Sequence, residues 1–301
     1  MAAVTEGATR LTTADRGGTA GRVRADRVVL YVVAIVLVVL LTWPFFWAVS
    51  SSLKDAGEIY IRPPHWVPLD PRPYNYIEVW EVVPFARFLW NSVIVTVLSM
   101  VGQVISATAV AYGFARFRFP GRGLLFGLAL ATLMLPREVT IIPLYLMFRE
   151  VGWIDTLYPL WVPYWFAAGS GAFTIFLMRQ FFMTIPFEYD QAAQIDGASS
   201  WWIFWRIILP LAKPALATAM IFAFLAHWND FWGPLIFLND PQNFTLPLGL
   251  RWLQSTPADL GRPREHLLLA AAIMATLPIL AIYFCAQKYF VQGIVMSGIK
   301  G

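Results

Sequence analysis

The sequence predicts an all-α protein that crosses a membrane six times. Hydrophobic residues make up 58% of its 301 residues and charged residues only 13%, against about 25% charged in an average soluble domain. With 14 Trp and 23 Phe, the chain carries more apolar surface than one soluble core of this size hides. The charges are also spaced so that six stretches between them approach or exceed the roughly 20 residues needed to cross a bilayer core. A disordered chain is excluded and an ordinary soluble enzyme disfavoured.

The elements follow in order. Residues 1–27, rich in Gly, Thr and Ala with Arg10, Arg16, Arg22, Arg24 and Arg27, read as a flexible cytoplasmic tail. The first span runs from Val28 to about Ser50, between Arg27 and Lys54. It is too long for the core of a cleaved signal peptide, and Trp43-Pro-Phe-Phe-Trp47 follows where small residues would stand. Residues 28–85 thus form the first span and an extracytoplasmic connector, whose Pro63, Pro64, Pro68, Pro71, Pro73 and Pro84 forbid a long helix. The second span lies within 88–115. The third, Gly123 to Phe148, is interrupted by Arg137 and Glu138 and carries Pro136 and Pro143 as breaks or kinks. The fourth lies within 156–178. The fifth, Pro214 to Leu238, is interrupted by Asp230. The polar segment 239–265 follows, with Pro241, Pro247, Pro257 and Pro263, and the sixth span lies within 266–287. Both long outer segments stand open between a solvated connector and a partner contact.

Basic residues collect in cytoplasmic loops of membrane proteins. Arg116, Arg118 and Arg122 in one short loop, with the basic tail, orient both ends of the chain to the inside and leave 296–301 as a cytoplasmic C-terminus. The net charge of +4 is on this reading a topology signal rather than a nucleic-acid footprint. Cys285, the single cysteine, allows no intrachain disulfide and no Cys-based metal site.

Several chemistries have no residues to carry them. None of the four lysines, Lys54, Lys213, Lys288 and Lys300, sits in a Gly-x-x-x-x-Gly-Lys-Ser/Thr phosphate loop. His65, His227 and His266 show no zinc-protease spacing, read as packing or interface residues, and leave no expected metal site. No Gly-x-Ser-x-Gly elbow occurs. Straight-helix rise puts Arg137 about 21 Å from Gly123 and Asp230 about 24 Å from Pro214, both in the outer half of the bilayer. Two readings stand open for them: a local Arg137–Glu138 pair, or the polar wall of an outward-opening cavity. Irregular backbone at such depth is tolerated only where protein or a water-filled cavity satisfies it. Asn91, Gln103, Trp228, Asn229 and Asp230 are the candidate pathway or substrate residues. Each is weighed against ordinary interhelical contact.

The cytoplasmic segment 186–210 is the most informative. Pro186 suits a first helical turn, and Glu188 and Asp190 favour a helix N-terminus. Gly197 can end the helix in a left-handed conformation. Ser199 or Ser200 can cap a second helix carrying Trp201, Trp202, Phe204 and Trp205 until Pro210 stops it. A small-residue helix facing the cytoplasm suits a groove on a partner, and an amphipathic interfacial linker remains the alternative.

The run Glu188-Tyr-Asp-Gln-Ala-Ala-Gln-Ile-Asp-Gly-Ala198, followed by Phe204 and Ile207-Ile-Leu-Pro-Leu211, resembles the EAA loop of permease subunits in binding-protein-dependent ABC importers. Ser51-Ser-Leu-Lys54, Asn75-Tyr76, Asn91-Ser92, Ala111-Tyr-Gly-Phe-Ala-Arg116, Pro136 to Pro143, Trp228-Asn229 and Gly298-Ile-Lys-Gly301 are similar to the carbohydrate-uptake, maltose-permease-like class. The resemblance implies a type I importer permease with its core over 86–295. It implies a coupling helix made of Glu188, Tyr189, Asp190, Gln191, Ala192, Ala193, Asp196 and Gly197. It also implies a second homologous permease, two cytoplasmic ATPases that hold ATP and Mg, an extracytoplasmic solute-binding protein, and a multi-pass place in a prokaryotic plasma membrane. No cofactor and no nucleic acid are expected on this chain. Gln191 stands where the family usually has Glu, so Glu188 or Asp190 is expected to supply that charge. A sugar or related polyol is the expected solute. Phosphate, an amino acid or a peptide is the alternative. A stand-alone carrier would call for an internal repeat, and a membrane-embedded enzyme lacks a catalytic constellation.

Overall fold

A computed structural model describes residues 16–255 and 264–298. Helix α1 (Arg16–Ser52) contains the first span. It begins ahead of Val28, so 16–27 is helical. Ala and Arg favour helix, and beyond the bilayer water satisfies the backbone. Residues 1–15 of the expected tail lie outside the described residues. The connector that follows holds a short helix, α2 (Asn75–Val82), and otherwise turns and extended backbone, as its prolines require. Helix α3 (Phe85–Arg116) is one unbroken rod of 32 residues, about 48 Å long at 1.5 Å per residue.

The third predicted span is not straight. Helix α4 (Arg122–Ala131) and the 3-10 turn after it end at Met134. Pro136 then holds an extended ψ of 136°, and α5 (Arg137–Glu150) leaves at 98° to α4. Arg137 stands at this bend, so a straight-helix count reaches about as far as Arg137 and no farther along α5. Pro143 lies inside α5 without ending it. The fourth span is broken as well. Helix α6 (Tyr158–Trp161) passes into a 3-10 turn over Val162–Phe166, Ala167 takes a left-handed φ of 54°, and α7 (Gly171–Thr184) resumes and runs past the predicted end at 178.

The cytoplasmic segment forms α8 (Glu188–Ile195) and α9 (Ser200–Ile203), then a π-turn over Phe204–Ile208, then α10 (Leu209–Leu211). Pro210 does not stop this helix. Proline lacks the N–H that would continue the ladder, and the wider π-turn just before it takes up the mismatch. The chain breaks instead at Ala212, and α11 (Lys213–Trp228) departs at 80°. Helix α11 ends at Trp228, so the predicted fifth span divides there, with Asp230 in the gap before α12 (Trp232–Phe237). Helix α13 (Leu246–Ser255) buries Leu246, Leu248 and Leu253. The outer segment is thus partly a packed amphipathic helix, and its residues 256–263 lie outside the described residues. Helix α14 (Glu265–Gly298) carries the sixth span; residues 299–301, including the end of the Gly298–Gly301 piece, are outside.

Four helices are long and apolar enough to cross a membrane, and six spans result if each bent pair counts as one. Two apolar cores hold them together. The outer core gathers Phe85, Phe88, Val95, Phe148, Leu160, Phe224, Trp228, Phe237 and Leu246. The inner core gathers Ala107, Ala111, Tyr112, Met178, Phe182, Ile203 and Ile208. Helix α3 runs through both. Helix α1 is exposed along its apolar face from Val28 to Leu41 and rests chiefly on α14, which leaves that face for lipid or another chain.

Candidate functional site

Two places carry the polar groups that the sequence singles out. The first is the cytoplasmic segment. Helix α8 begins after Phe187, whose carbonyl accepts from Asp190 N at 3.0 Å and Gln191 N at 3.1 Å. Pro186 therefore stands just before the helix rather than in its first turn. Gly197 ends it with φ +83°, and Ala198 N bonds back to Ala193 O at 2.9 Å. This is the left-handed stop that glycine takes without a steric cost. Ser199 caps α9, its Oγ accepting from Trp202 N at 3.3 Å. The aromatic residues divide: Trp201, Trp202 and Trp205 are exposed, whereas Phe204 is buried against Tyr112.

The two faces of α8 differ in kind. Glu188, Tyr189, Gln191, Ala192, Gln194 and Ile195 face outward, Ile195 at 86% exposure. Asp196 and Gly197 follow them on the surface. Asp190 and Ala193 face inward. Asp190 Oδ2 lies 3.4 Å from Arg116 Nη2, and the two side chains are 3% and 6% exposed. Arg116 also donates to Ile185 O at 3.1 Å. Burial pushes the Asp190 carboxyl above its ordinary range and Arg116 pulls it back in part. Asp190 is thus turned away from any partner, against the expectation that it could replace the missing Glu; Glu188 remains exposed. Between α8 and the following helix lies an open cavity of about 920 Å³, lined by Glu188, Tyr189, Ala192, Ala193, Asp196, Gly197, Ser199 and Trp202 among others.

The second place is where the three broken spans meet. Arg137, first residue of α5, forms a forked ion pair with Asp230 in the gap after α11: Nη1–Oδ1 2.8 Å and Nη2–Oδ2 3.1 Å. The partner of Arg137 is therefore Asp230, 93 residues away, and not its neighbour Glu138. Asp230 Oδ1 also accepts from Gly233 N at 3.4 Å. A Cβ on Gly233 would sit 2.6 Å from Asp230 Oδ2 and 3.2 Å from Arg137 Nη2, so this position admits no side chain while the pair is made. Tyr164, from the turn of the fourth span, meets His227 edge-on at 4.2 Å between ring centres. His227 Nε2 lies 2.8 Å from Gln103 Oε1. An amide oxygen only accepts, so Nε2 carries the proton. Gln103 Oε1 also accepts from Ser170 Oγ, and its Nε2 donates to Thr174 Oγ1, both at 2.8 Å.

The candidate pathway residues accordingly separate. Asn229 is exposed and Asp230 partly so, beside Arg137. Gln103 is buried with its amide used inside the protein. Asn91 is buried and donates to Gln242 O at 2.9 Å and Phe244 O at 3.0 Å, clamping the outer segment. Trp228 is 4% exposed, stacks on Phe224 and donates to Ala275 O, so it offers no face to a sugar. These three are corrections: their polarity is spent on packing helices and segments together. Nothing local in the sequence pointed to Arg116 as the partner of Asp190, or to Asp230 rather than Glu138 as the partner of Arg137, because pairing across 74 and 93 positions leaves no local signal. Among the described residues no group of His, Cys, Asp and Glu could hold a metal ion.

Residues 105–296 match the family model described as the binding-protein-dependent transport system inner membrane component. A probable ABC transporter permease of Bacillus subtilis, YurM, is 35% identical over 274 residues, covering 90% of this chain and 86% of its own. The diacetylchitobiose uptake system permease NgcG of Streptomyces coelicolor is 33% identical, covering 86% and 84%. Among solved structures, a chain of a bacterial ABC transporter that imports alginate superposes with a TM-score of 0.78 at 24% identity, over 93% of this chain and 99% of that one. That likeness shows the fold, that of a type I importer permease.

Proposed function

Because the chain belongs to the family of binding-protein-dependent transport system inner membrane components, we propose that it forms half of the pathway of an ATP-driven importer of a sugar or related polyol, working with a second permease and two cytoplasmic ATPases. It is a membrane permease subunit and carries transport rather than catalysis. The relative NgcG, named for diacetylchitobiose uptake, supports the carbohydrate class. ATP and Mg belong on the partner ATPases, since this sequence holds no phosphate loop.

The observation that carries the reading is α8: a short helix stopped by Gly197, its outward face made of Glu188, Tyr189, Gln191, Ala192 and Ile195, standing beside an open cavity at the cytoplasmic end. Ala192 leaves room for a close approach, and Ile195 offers apolar area to bury in a groove. With Gln191 neutral and Asp190 turned inward, Glu188 is the acidic group left in the first turn for a basic partner. In the pathway we assign Asn229, Asp230 and Arg137. Arg137 is about half exposed in the isolated subunit. A charged pair set against lipid tails is costly, so its open side faces water or the second permease.

The test is reconstitution in liposomes with the co-purified ATPase, permease partner and binding protein. Uptake of the sugar carried by the binding protein should need ATP and should cease when Glu188, Tyr189 and Ile195 are replaced together by Ala, Ala and Asp. Undiminished ATP-driven uptake in that variant would contradict the docking assignment.

A further inference from the structure

We propose that Arg116 and Asp190 form the strut through which a displacement of α8 is passed to α3, and that α3 carries it to the outer side of the membrane. This rests on α8 being the ATPase-docking helix. Asp190 is the acidic residue of α8 that points into the protein, and it meets a guanidinium on the last residue of α3. The same guanidinium holds Ile185 O at the entry to α8, so one side chain grips the helix and the chain leading into it. The contact continues one turn back on α3, where Tyr112 Oη donates to Ser200 O at 3.2 Å, at the start of α9.

Helix α3 is suited to transmit what the strut receives. The third, fourth and fifth spans are all interrupted, whereas α3 is continuous over 32 residues. Along its length it holds each further polar site in turn. Gln103 is the centre of the buried bonds to Ser170, Thr174 and His227, the last standing three residues before Asp230 in the chain. Near its outer end Ser92 Oγ accepts from Leu246 N at 2.6 Å, and Asn91 holds Gln242 O and Phe244 O. A rigid rod fixed at these points cannot shift at one end without loading the others.

The strut is also incompletely bonded. Among the described residues neither Arg116 Nε nor Asp190 Oδ2 has a hydrogen-bond partner, although both atoms are buried. Buried polar atoms are normally satisfied. Two opposite charges 3.4 Å apart with unused bonding capacity can tighten into a forked pair after a small turn of α8. This leaves the contact room to tighten or loosen as α8 moves.

The experiment uses the assembled importer in liposomes and its own binding protein in the solute-loaded form in which it is purified. ATP hydrolysis is read with and without that protein, and ATPase retention is read by co-purification. Asp190→Asn keeps the shape of the side chain and removes its charge. It should retain the ATPase while the stimulation ratio falls by about fivefold or more, the scale of an ordinary coupling between sites. Exchanging the charges, Arg116→Asp with Asp190→Arg, should recover part of the ratio. An unchanged ratio in Asp190→Asn, or an exchange no better than the single change, would overturn the strut. If Asp190→Asn does not assemble, Arg116→Lys keeps the charge and drops the forked geometry, and it is read against the same two outcomes. Ala192→Trp on the outward face separates the premise from the inference. ATPase release there with no effect of Asp190→Asn refutes the strut alone, whereas ATPase retention there refutes the docking assignment.

Discussion

Lys54 is almost fully buried, with an ammonium that donates to His65 O at 2.6 Å and lies 4.0 Å from the centre of the Trp47 ring. Burial pulls its pKa down, and Glu58 raises it again in part. Together with Asn75, whose amide donates to Ser52 O and Lys54 O, it pins the proline-rich connector onto the end of α1. The connector is therefore anchored rather than loose. Lys54→Met should cost about 2 kcal/mol, the scale of a hydrogen bond from a charged group, and should be seen as a lower melting temperature and faster proteolysis within 55–74. Asp155 does similar work at the outer end. Burial pushes its carboxyl up, but the bonds from Asp240 N, Asn239 N and Asn243 outweigh this and leave it below the ordinary range. A depressed acid stabilises the fold above its unfolded pKa, and that contribution is lost as pH falls through the folded value. The protection factors of the amides at 239–243, with the intrinsic pH dependence of exchange divided out, should be unchanged from pH 7 to 5 and should fall only below about pH 4; in Asp155→Asn they should be lowered already at pH 7. At Gly197 the positive φ makes any side chain unfavourable by about 1–2 kcal/mol. Gly197→Asp should leave the subunit in the membrane while solute-stimulated ATP hydrolysis fails.

The elements that matter most are the broken ones. Counted from their cytoplasmic ends, α4 with its 3-10 turn, α7 and α11 reach about 20–24 Å before their breaks at 1.5 Å per residue, so the three interruptions fall at a similar level. Backbone freed at such depth needs protein or water around it, and the Arg137–Asp230 pair joins two of the three breaks. Helix α4 buries no residue and α5 only Phe148, which leaves this pair as a principal tie between the α4–α5 bend and the rest of the fold. Arg137→Ala and Asp230→Ala should each impair transport, the charge-exchanged double variant should recover part of it, and a double-mutant cycle should give about 1 kcal/mol for so exposed an ion pair. Gly233→Val should mimic the single changes by forcing the carboxylate aside. Much of this was legible in sequence, and the remainder was hidden for definite reasons. Gaps between charges located the four helices long and apolar enough to cross a membrane, because desolvating a charge is costly wherever the chain lies. Pro136 announced its break by chemistry. Ala167-Ala-Gly-Ser-Gly171 carries two glycines and a serine, a break signal in itself, but a search for charge-free stretches runs straight through it because none of the five is charged. The inward turn of Asp190 depends on which side of α8 meets α3, a tertiary fact that eight residues of helix do not encode.

At the scale of the whole molecule the subunit is a half-built object. The apolar face of α1 from Val28 to Leu41, most of α4, and Val139 and Ile142 on α5 are exposed, surfaces that lipid and a second permease would cover. The polar features lie at two levels, α8 inside and the meeting of broken spans towards the outside, with α3 between them. This division suits a subunit whose energy source lies on another chain. On the proposal above, that chain docks at α8. The direct measurement is site-specific cross-linking in a Cys285→Ser background, with single cysteines at exposed Ile195 and, for comparison, at Val36 on the lipid-facing side of α1. Ile195→Cys should form a covalent adduct with a cysteine placed in the cleft of the ATPase, in a yield that changes when ATP is added, and Val36→Cys should form none. Failure of Ile195→Cys to cross-link in an importer that still transports would contradict the account.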